Sequence, residues 1–255
     1  SEAILKEQLE LVYQPIFDLY EGHVAGFEAL IRWNHPTEGM IPPSRFIDLA
    51  EETGLIVPMG LWALEEASRA LLRFREIRAG HVSEAPACFV TVNLSTRQFD
   101  DPHLTDSLAR ILSTRDIDPG LLKLEITESL LMKDPEFAMV ELNRLKGLGV
   151  KLVIDDFGTG YSSLSYLHRF PIDTLKIDRS FVSTMLQDEG SKQIVRATTW
   201  LAHALAMDVV AEGVGDSDQL LQLQGLNCEY GQGFFLAKPL AEPDAHAIVS
   251  HRLAC

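Results

Sequence analysis

The sequence has few cysteines, and their spacing excludes two kinds of site. Only three occur among its 255 residues, Cys88, Cys228 and Cys255, and none belongs to a CxxC pair. An odd number of scattered cysteines indicates neither a disulfide framework nor a thiolate zinc site. We therefore expect a reducing compartment and a cytoplasmic location.

Basic residues are also scarce. The chain has 22 of them against 37 acidic residues, which gives a formal net charge of −15. A surface of this sign repels the phosphate backbone of long nucleic acids, so we do not expect binding to long nucleic acid. A small phosphate ligand would need positive charge placed locally in its site.

Long apolar runs, zinc motifs and serine nucleophile motifs are missing too. Charged residues interrupt the apolar stretches every few positions, so no membrane insertion is expected. Residues 1–6 lack the basic start and apolar core of a signal peptide. The chain begins without Met, inside an amphipathic pattern, which favours a domain taken from a longer protein.

The eight histidines form no HxH or HExxH, and no GxSxG is present.

Short β-rich apolar runs alternate with helical patterns along the whole chain. The predicted strands are 11–17, 24–33, 89–94, 121–127, 151–155, 174–177, 208–211 and 230–235. The predicted helices are 43–52, 61–75, 104–113, 136–148 and 191–206. Eight strands with helices between them predict an α/β fold, a (β/α)8 TIM-like barrel. The length also fits two small domains, but no linker divides the chain, so we predict one domain over residues 1–255.

The first two predicted strands depart from the pattern of the others. Only about five residues, 18–23, separate them, which leaves room for a turn and none for a crossover helix. We therefore expect the first strand to run antiparallel to the rest of the barrel.

Polar residues stand at or near the ends of the predicted strands. They are Glu28, Asn93, Glu125, Asp155, Asp156, Lys176 and Glu212. The carboxyl ends of barrel strands meet on one face, so these side chains should form one cluster. Crowded carboxylates need cations, and ligands that are all oxygen favour Mg²⁺ or Mn²⁺ over zinc. Any one of these acids could instead be a solvated strand end or a helix N-cap.

Three features at or after the predicted strand ends have a second interpretation. Gly158-Thr159-Gly160 follows a strand, as in a dinucleotide fold, but Ser163 replaces the third glycine and two aspartates would repel a pyrophosphate. Lys176 could extend to the rim of the barrel, or hold an attacking water or phosphate charge. Glu212 could accept a proton from that water, or could be an acid preceding a helix over 216–223.

Taken together, these residues resemble the EAL family of cyclic di-GMP phosphodiesterases. The naming motif is Glu28-Ala29-Leu30, which continues to Arg32. It occurs in order with five other motifs: Val92-Asn93-Leu94-Ser95, Leu124-Glu125-Ile126-Thr127-Glu128, Asp155-Asp156-Phe157-Gly158, Leu175-Lys176-Ile177-Asp178 and Ala211-Glu212-Gly213-Val214. The resemblance extends from Tyr13-Gln14-Pro15-Ile16 to Gln232-Gly233 and Lys238-Pro239.

The resemblance implies a role for each group of residues, and an antiparallel first strand. One metal would be held by Glu28, Asn93, Glu125 and Asp155, and Asp155 and Asp156 would help to hold a second. Lys176 and Glu212 would position and deprotonate the attacking water. The implied substrate contacts are Gln14, Leu30, Arg32, Asp178 and Gln232, with Arg32 on a phosphate. Glu128 and the loop 157–163, including Phe157 and Gly158, would couple the metal site to dimerisation.

The implied activity is metal-dependent hydrolysis of cyclic di-GMP to linear pGpG in bacterial second-messenger signalling. The implied partners are a second copy of the chain and fused sensor or GGDEF-type domains outside it. One alternative is a receptor module that binds cyclic di-GMP without catalysis, and another is an unrelated metal-dependent barrel hydrolase. The chain departs from many members at Gly215, where they carry Glu after Glu-Gly-Val, and this affects a secondary contact.

Overall fold

A closed ring of eight strands forms the centre of the molecule. The computed structural model describes residues 8–81, 86–160 and 164–250. Its strands are β1 Leu9–Asp18, β2 Val24–His35, β3 Gly39–Ile41, β4 Phe89–Asn93, β5 Leu122–Thr127, β6 Lys151–Phe157, β7 Thr174–Ile177, β8 Asp208–Glu212 and β9 Tyr230–Gln232. Their order is β1-β9-β8-β7-β6-β5-β4-β2, and pairing of β1 with β2 closes the ring. The predicted barrel is confirmed.

Strand β1 runs against both of its neighbours, as the short connection predicts. It pairs antiparallel with β2 and with β9, whereas the remaining neighbours in the ring pair in parallel. Asp18 organises the turn, since its Oδ1 accepts hydrogen bonds from the backbone N–H groups of Tyr20 and Glu21 at 2.8 and 2.7 Å. Gly22 then takes a positive φ of 69°, a conformation that costs glycine little.

Helices pack around the outside of the strand ring. They are α1 Ile47–Thr53, α2 Ile56–His81, α3 Thr96–Phe99, α4 Leu104–Arg115, α5 Glu128–Lys133, α6 Pro135–Gly147, α7 Leu164–Leu167, α8 Arg179–Thr184, α9 Glu189–Ala204, α10 Ser217–Gly225 and α11 Glu242–Ile248. Helix α2 shows why they pack there, because Ala63, Ala67, Ala70 and Phe74 repeat at helical spacing and are all buried. No helix of the described ranges has both the length and the apolar character needed to cross a membrane.

The observed elements differ from the sequence prediction at several places, including residues 39–41, 43–54 and 230–235. The helix predicted over 43–52 is divided into a 3-10 turn, Pro43–Arg45, and α1, which ends at Thr53 and is followed by Gly54 with φ 75°. Strand β3 was not predicted; its three residues pair only with the extended end of β2. Strand β9 ends at Gln232 because the chain turns at Gly233, where a β-carbon would collide with the backbone of Val214.

The amino-terminal end of the barrel contains a buried lysine and a half-buried aspartate. Lys123, in β5, lies 3.8 Å from the centre of the Phe89 ring and donates to Thr174 Oγ1 at 3.4 Å. Burial lowers the pKa of Lys123. Nearby, Asp173 accepts from the ammonium groups of Lys146 and Lys151 and from the backbone N–H of Leu152. These contacts join α6, β6 and the start of β7.

Candidate active site

The buried ammonium of Lys176 lies among four carboxylates at the carboxyl ends of the strands. Its Nζ is 2.6 Å from Glu212 Oε1, 2.9 Å from Glu125 Oε2, 3.3 Å from Asp155 Oδ1 and 3.5 Å from Glu28 Oε2. Lys176 is 1% exposed, so it does not extend to solvent at the rim. The structure therefore brings five of the predicted residues into one cluster, which we call the carboxylate ring.

Strand register explains how distant parts of the sequence meet there. Pairing places Gln14 opposite Glu28, Asn93 opposite Glu125, and Glu212 opposite Gln232. Side chains alternate between the two faces of a strand. A polar residue at the right position of each strand is therefore sufficient to build the cluster.

Two amides fix the orientation of Glu28. Asn93 Nδ2 donates to Glu28 Oε1 at 2.9 Å, and Gln232 Nε2 donates to Glu28 Oε2 at 2.7 Å. Burial alone would raise the pKa of Glu28, but the Lys176 charge and these two donors together lower it below its ordinary value. Glu28 therefore carries negative charge inside the barrel.

Burial acts differently on the other members of the carboxylate ring. Burial and the negative charge of Glu28 raise the pKa of Glu125 well above its ordinary value. Burial also raises the pKa of Glu212 to about 7, with Lys176 opposing the change. Burial disfavours the ammonium of Lys176, but the surrounding carboxylates raise its pKa well above the ordinary value. The cluster thus contains both charged carboxylates and carboxyls that bind protons readily.

A bulge in β6 separates the two aspartates. The pairing of β6 with β7 shifts between Ile154 and Phe157, and Asp156 has a φ of 54°. The backbone N–H of Asp156 donates to Asp155 Oδ1 at 3.0 Å. Carboxylate oxygens of Asp155, Asp156 and Glu212 can lie within 4.8 Å of one another. The bulge lets two consecutive carboxylates face the same site, which a regular strand would prevent.

The cluster has the chemistry of a site for hard divalent cations. Oxygens from carboxylates and one amide are the ligands that Mg²⁺ and Mn²⁺ prefer. Glu125 Oε1 is buried and has no hydrogen-bond partner among the described residues, which is costly for a polar atom unless a ligand completes it. The described residues therefore fit a metal site.

A cleft of about 560 Å³ opens above the carboxylate ring. Four of the five predicted substrate contacts line it, namely Gln14, Leu30, Arg32 and Gln232, together with Glu28 and Glu212. Asp178 is not among its lining residues. It caps α8 instead, where its Oδ1 accepts from the backbone N–H of Ser180 at 3.0 Å.

The residues predicted to couple the site to dimerisation lie beside β6. Glu128 is buried, and its Oε2 accepts from the backbone N–H of Gly158 at 3.0 Å. Phe157 is buried at the end of β6, and Gly158 has a φ of 97°. Residues 161–163 of the predicted loop lie outside the described residues. The described part, 158–160, is a turn rather than the start of a helix.

Several lining residues of the cleft were not predicted as site residues from the sequence. Among them, Arg179, Ser183, Phe234 and Pro239 lie in α8 and in the segment after β9. The position of Arg179 two residues after β7 could have indicated it, because it follows a strand end as the acids do. Pro239 belongs to the Lys238-Pro239 motif of the resemblance, whereas Ser183 and Phe234 carry no comparable signal.

A family model described as the EAL domain matches residues 1–239. The chain belongs to the EAL domain family. This EAL domain is 42% identical over 239 residues to the bifunctional diguanylate cyclase/cyclic di-GMP phosphodiesterase MucR of Pseudomonas aeruginosa, covering 94% of the chain and 34% of MucR. It is 41% identical over 239 residues to the cyclic di-GMP phosphodiesterase NbdA of the same organism, covering 94% of the chain and 30% of NbdA.

A solved structure is also similar to this EAL domain. The PaMucR phosphodiesterase in complex with c-di-GMP is similar to this EAL domain with a TM-score of 0.89 at 41% identity, and 96% of each chain is covered. The EAL domain spans 28–35% of the length of the first curated relatives it matches. The family resemblance predicted from the motifs is confirmed.

Proposed function

We propose that this EAL domain is a metal-dependent phosphodiesterase that hydrolyses cyclic di-GMP to linear pGpG. The observation that carries the proposal is the contact of 2.6 Å between Lys176 Nζ and Glu212 Oε1 within the carboxylate ring, directly below the cleft that Arg32 lines. The names of MucR and NbdA point to the same substrate.

The carboxylate ring and its neighbours would hold two divalent cations, Mg²⁺ or Mn²⁺. The proposed ligands are Glu28, Asn93, Glu125, Asp155 and Asp156. Divalent cations held there would stabilise phosphate charge as Lewis acids, make water more acidic and offset the negative field that a protein of net charge −15 presents to an anionic substrate.

Glu212 is the proposed general base. Its carboxylate accepts a proton from the attacking water, and Lys176 holds that carboxylate in place from the buried side. Burial raises the pKa of Glu212 to about 7, and a base works best with a pKa near the operating pH. The water oxygen bonds to phosphorus, and the bond from phosphorus to the 3′ oxygen breaks. The leaving 3′ oxygen takes up a proton from solvent, and Glu212 releases to solvent the proton that it accepted from the water. The product carries a 5′ phosphate, as in pGpG.

The remaining cleft residues position the substrate. Arg32 is the proposed phosphate contact, because its planar guanidinium can donate two parallel hydrogen bonds. Gln14, Leu30 and Gln232 are proposed to contact the rest of the nucleotide. Asp178 stays a predicted contact, although the hydrogen bond to Ser180 already uses one of its oxygens.

The test is incubation of the purified domain with cyclic di-GMP in Mg²⁺ or in Ca²⁺, followed by chromatographic separation of the nucleotides. We expect pGpG to appear with Mg²⁺, and the expected loss in a Glu212→Gln variant would tie turnover to the proposed base. Intact cyclic di-GMP that stays bound to the protein in Mg²⁺ would favour a receptor. Neither binding nor turnover would contradict the proposal altogether.

We propose that residues 1–255 act as one domain of a longer signalling protein with sensor or cyclase domains, as the name of MucR suggests for that relative. A homodimer is proposed, coupled to the metal site through the Glu128 contact with Gly158. A cytoplasmic location is proposed as well, and it agrees with the free thiols of Cys88 and Cys228.

A further inference from the structure

Arg179 is a charged side chain of the cleft to which the proposed mechanism assigns no role. It lines the same cleft as Arg32 and Glu212. Within residues 8–81, 86–160 and 164–250, its guanidinium has no hydrogen bond or ion pair. Arg32, by contrast, donates to the carbonyl oxygen of Ile31 and feels the charge of Glu28. An arginine in a cleft that has no protein partner can use all of its guanidinium N–H groups to donate hydrogen bonds to a ligand.

The backbone next to the proposed base holds the stem of Arg179. Gly213 follows Glu212 and has a φ of 73°. A β-carbon at Gly213 would overlap the Cγ atom of Arg179. Only a glycine therefore lets the aliphatic stem lie against this loop, and the packing fixes where the guanidinium enters the cleft.

An exposed aromatic ring belongs to a segment that is hydrogen-bonded to the same loop. The N–H of Val214 donates to the Gln232 carbonyl at 3.0 Å, and the Val214 carbonyl accepts from the Phe235 N–H at 3.2 Å. Phe234, between these partners in sequence, lines the cleft and is 65% exposed. Residues 213–215 therefore contact both the stem of Arg179 and the segment that carries the Phe234 ring. Aromatic faces stack on nucleobases with little sequence preference, so the ring alone would not select guanine.

We propose that Arg179 is a specificity-determining residue that binds the O6 and N7 atoms of one guanine of the substrate. The inference rests on the proposed function and names what its cleft selects. The O6 and N7 atoms of guanine are two adjacent acceptors, which match two parallel N–H donors of an arginine guanidinium. Adenine has an amino donor in place of O6 and does not match them. The reacting phosphate belongs at the carboxylate ring with Arg32. Arg179 contacts none of the ring carboxylates, so the outer part of the ligand is within its reach.

The experiment compares two ligands and three variants. Binding and turnover of cyclic di-GMP and cyclic di-AMP are measured for the wild-type domain, Arg179→Met, Arg179→Lys and Arg196→Met. Arg196 is an exposed arginine of α9 outside the cleft, which makes it the matched control. Turnover is followed in Mg²⁺, and affinity is followed separately by calorimetry in Ca²⁺.

We expect Arg179→Met to lower the affinity for cyclic di-GMP by about 10- to 100-fold, the usual effect of losing one bidentate base contact. The variant should have a raised KM and a nearly unchanged kcat, because the contact is made equally in the ground state and in the transition state. The affinity for cyclic di-AMP should change less than about 3-fold, so the preference for guanine collapses. Arg196→Met should match the wild type with both ligands.

Arg179→Lys distinguishes the base contact from a phosphate contact. Lysine keeps the positive charge but cannot donate two parallel hydrogen bonds to O6 and N7. It should therefore not restore the preference for guanine. Restoration of affinity by lysine, or an equal loss for both ligands in Arg179→Met, would overturn the inference in favour of a phosphate contact. An unchanged preference in Arg179→Met would overturn it as well.

Failure of the inference and failure of the proposed function give different results. A wild-type domain that neither binds nor hydrolyses cyclic di-GMP would contradict the proposed function, and the inference with it. A wild-type domain that hydrolyses cyclic di-GMP, together with an equally selective Arg179→Met variant, would contradict the inference alone.

Discussion

The ammonium of Lys176 contacts Glu212 at 2.6 Å, and this pair connects the closed interior of the barrel to the open cleft. Lys176 is 1% exposed, whereas the Glu212 side chain is 19% exposed. The lysine therefore contacts Glu212 from the buried interior, and Glu212 itself lines the cleft. This arrangement suits a base that must reach a water while its own position stays fixed.

Removing the charge of Glu212 should abolish most of the turnover while leaving the fold intact. We expect Glu212→Gln to lower kcat for cyclic di-GMP by at least about 100-fold, because a positioned base contributes about 10²- to 10⁴-fold. The amide has the same shape and can still accept a hydrogen bond from Lys176. Steady-state kinetics in Mg²⁺ would measure this, with Glu76→Gln on the exposed face of α2 as the control. A kcat within 3-fold of wild type would rule out this role.

Loss of one proposed ligand should reduce stabilisation by metal. Addition of Mg²⁺ should raise the unfolding temperature of the wild-type domain, because a ligand that binds only the folded state stabilises it. In Glu125→Gln this rise should shrink, since the unpartnered Oε1 atom is replaced by a poorer ligand. Calorimetric scans with and without Mg²⁺ would show the difference. Equal rises in both proteins would speak against Glu125 as a ligand.

The ion cluster of Asp173 should stabilise the fold at neutral pH and lose its effect in acid. Burial alone would raise the pKa of Asp173, but its bonds to Lys146, Lys151 and the Leu152 N–H lower it below the ordinary value. A carboxyl with a lowered pKa adds stability above its unfolded pKa of about 3.9, and this stability is lost as the pH falls through the folded pKa. Asp173→Asn should therefore cost about 1.5–3 kcal/mol at pH 7.

Urea unfolding of Asp173→Asn and wild type at several pH values would test this. The two proteins should differ most at pH 6–8 and converge below about pH 4. Glu76→Gln, which alters an exposed acid of α2, is the control. A difference that stayed constant down to acid pH would show that packing, and not the charge, is responsible.

The turn at Gly158 should tolerate a side chain poorly. A β-carbon there would lie 3.2 Å from the Phe181 ring, and φ is +97°, where L-residues are strained by about 1–2 kcal/mol. We expect Gly158→Ala to destabilise the domain by about that amount and to weaken Mg²⁺ binding, because the turn directly follows Asp155 and Asp156. Gly147→Ala is the matched control, since nothing lies within 4 Å of a β-carbon at Gly147. Equal stabilities of the two variants would contradict the expectation.

The sequence predicts the barrel and most of the cluster because both depend on local pattern. Apolar strands ending in Glu28, Glu125, Lys176 and Glu212 suffice once the ends of the strands are known to meet on one face. The antiparallel first strand also follows from a local feature, the short connection after Asp18. These properties need no knowledge of distances.

Features that depend on packing between distant segments could not be predicted. The bulge at Asp156 arises from the shifted pairing of β6 with β7, which no residue of β6 specifies alone. The place of Arg179 in the cleft depends on its stem packing against Gly213, 34 positions further on. Asp178 belongs to the Leu175-Lys176-Ile177-Asp178 motif, yet its Oδ1 accepts a hydrogen bond from the Ser180 N–H and caps α8. Tertiary packing therefore decides the bulge and the place of Arg179, whereas a local contact decides the place of Asp178.

The antiparallel course of β1 also determines where the chain enters the barrel. Leu9 pairs with Trp33 and Phe17 with Val24, so the chain arrives at the catalytic rim and runs down to the opposite end. In a barrel of parallel strands alone, the first strand would start at the far end. A domain joined ahead of residue 8 would therefore be attached on the side of the barrel where the cleft opens. Such a domain could control substrate access by covering the cleft directly, without any conformational change passing through the barrel.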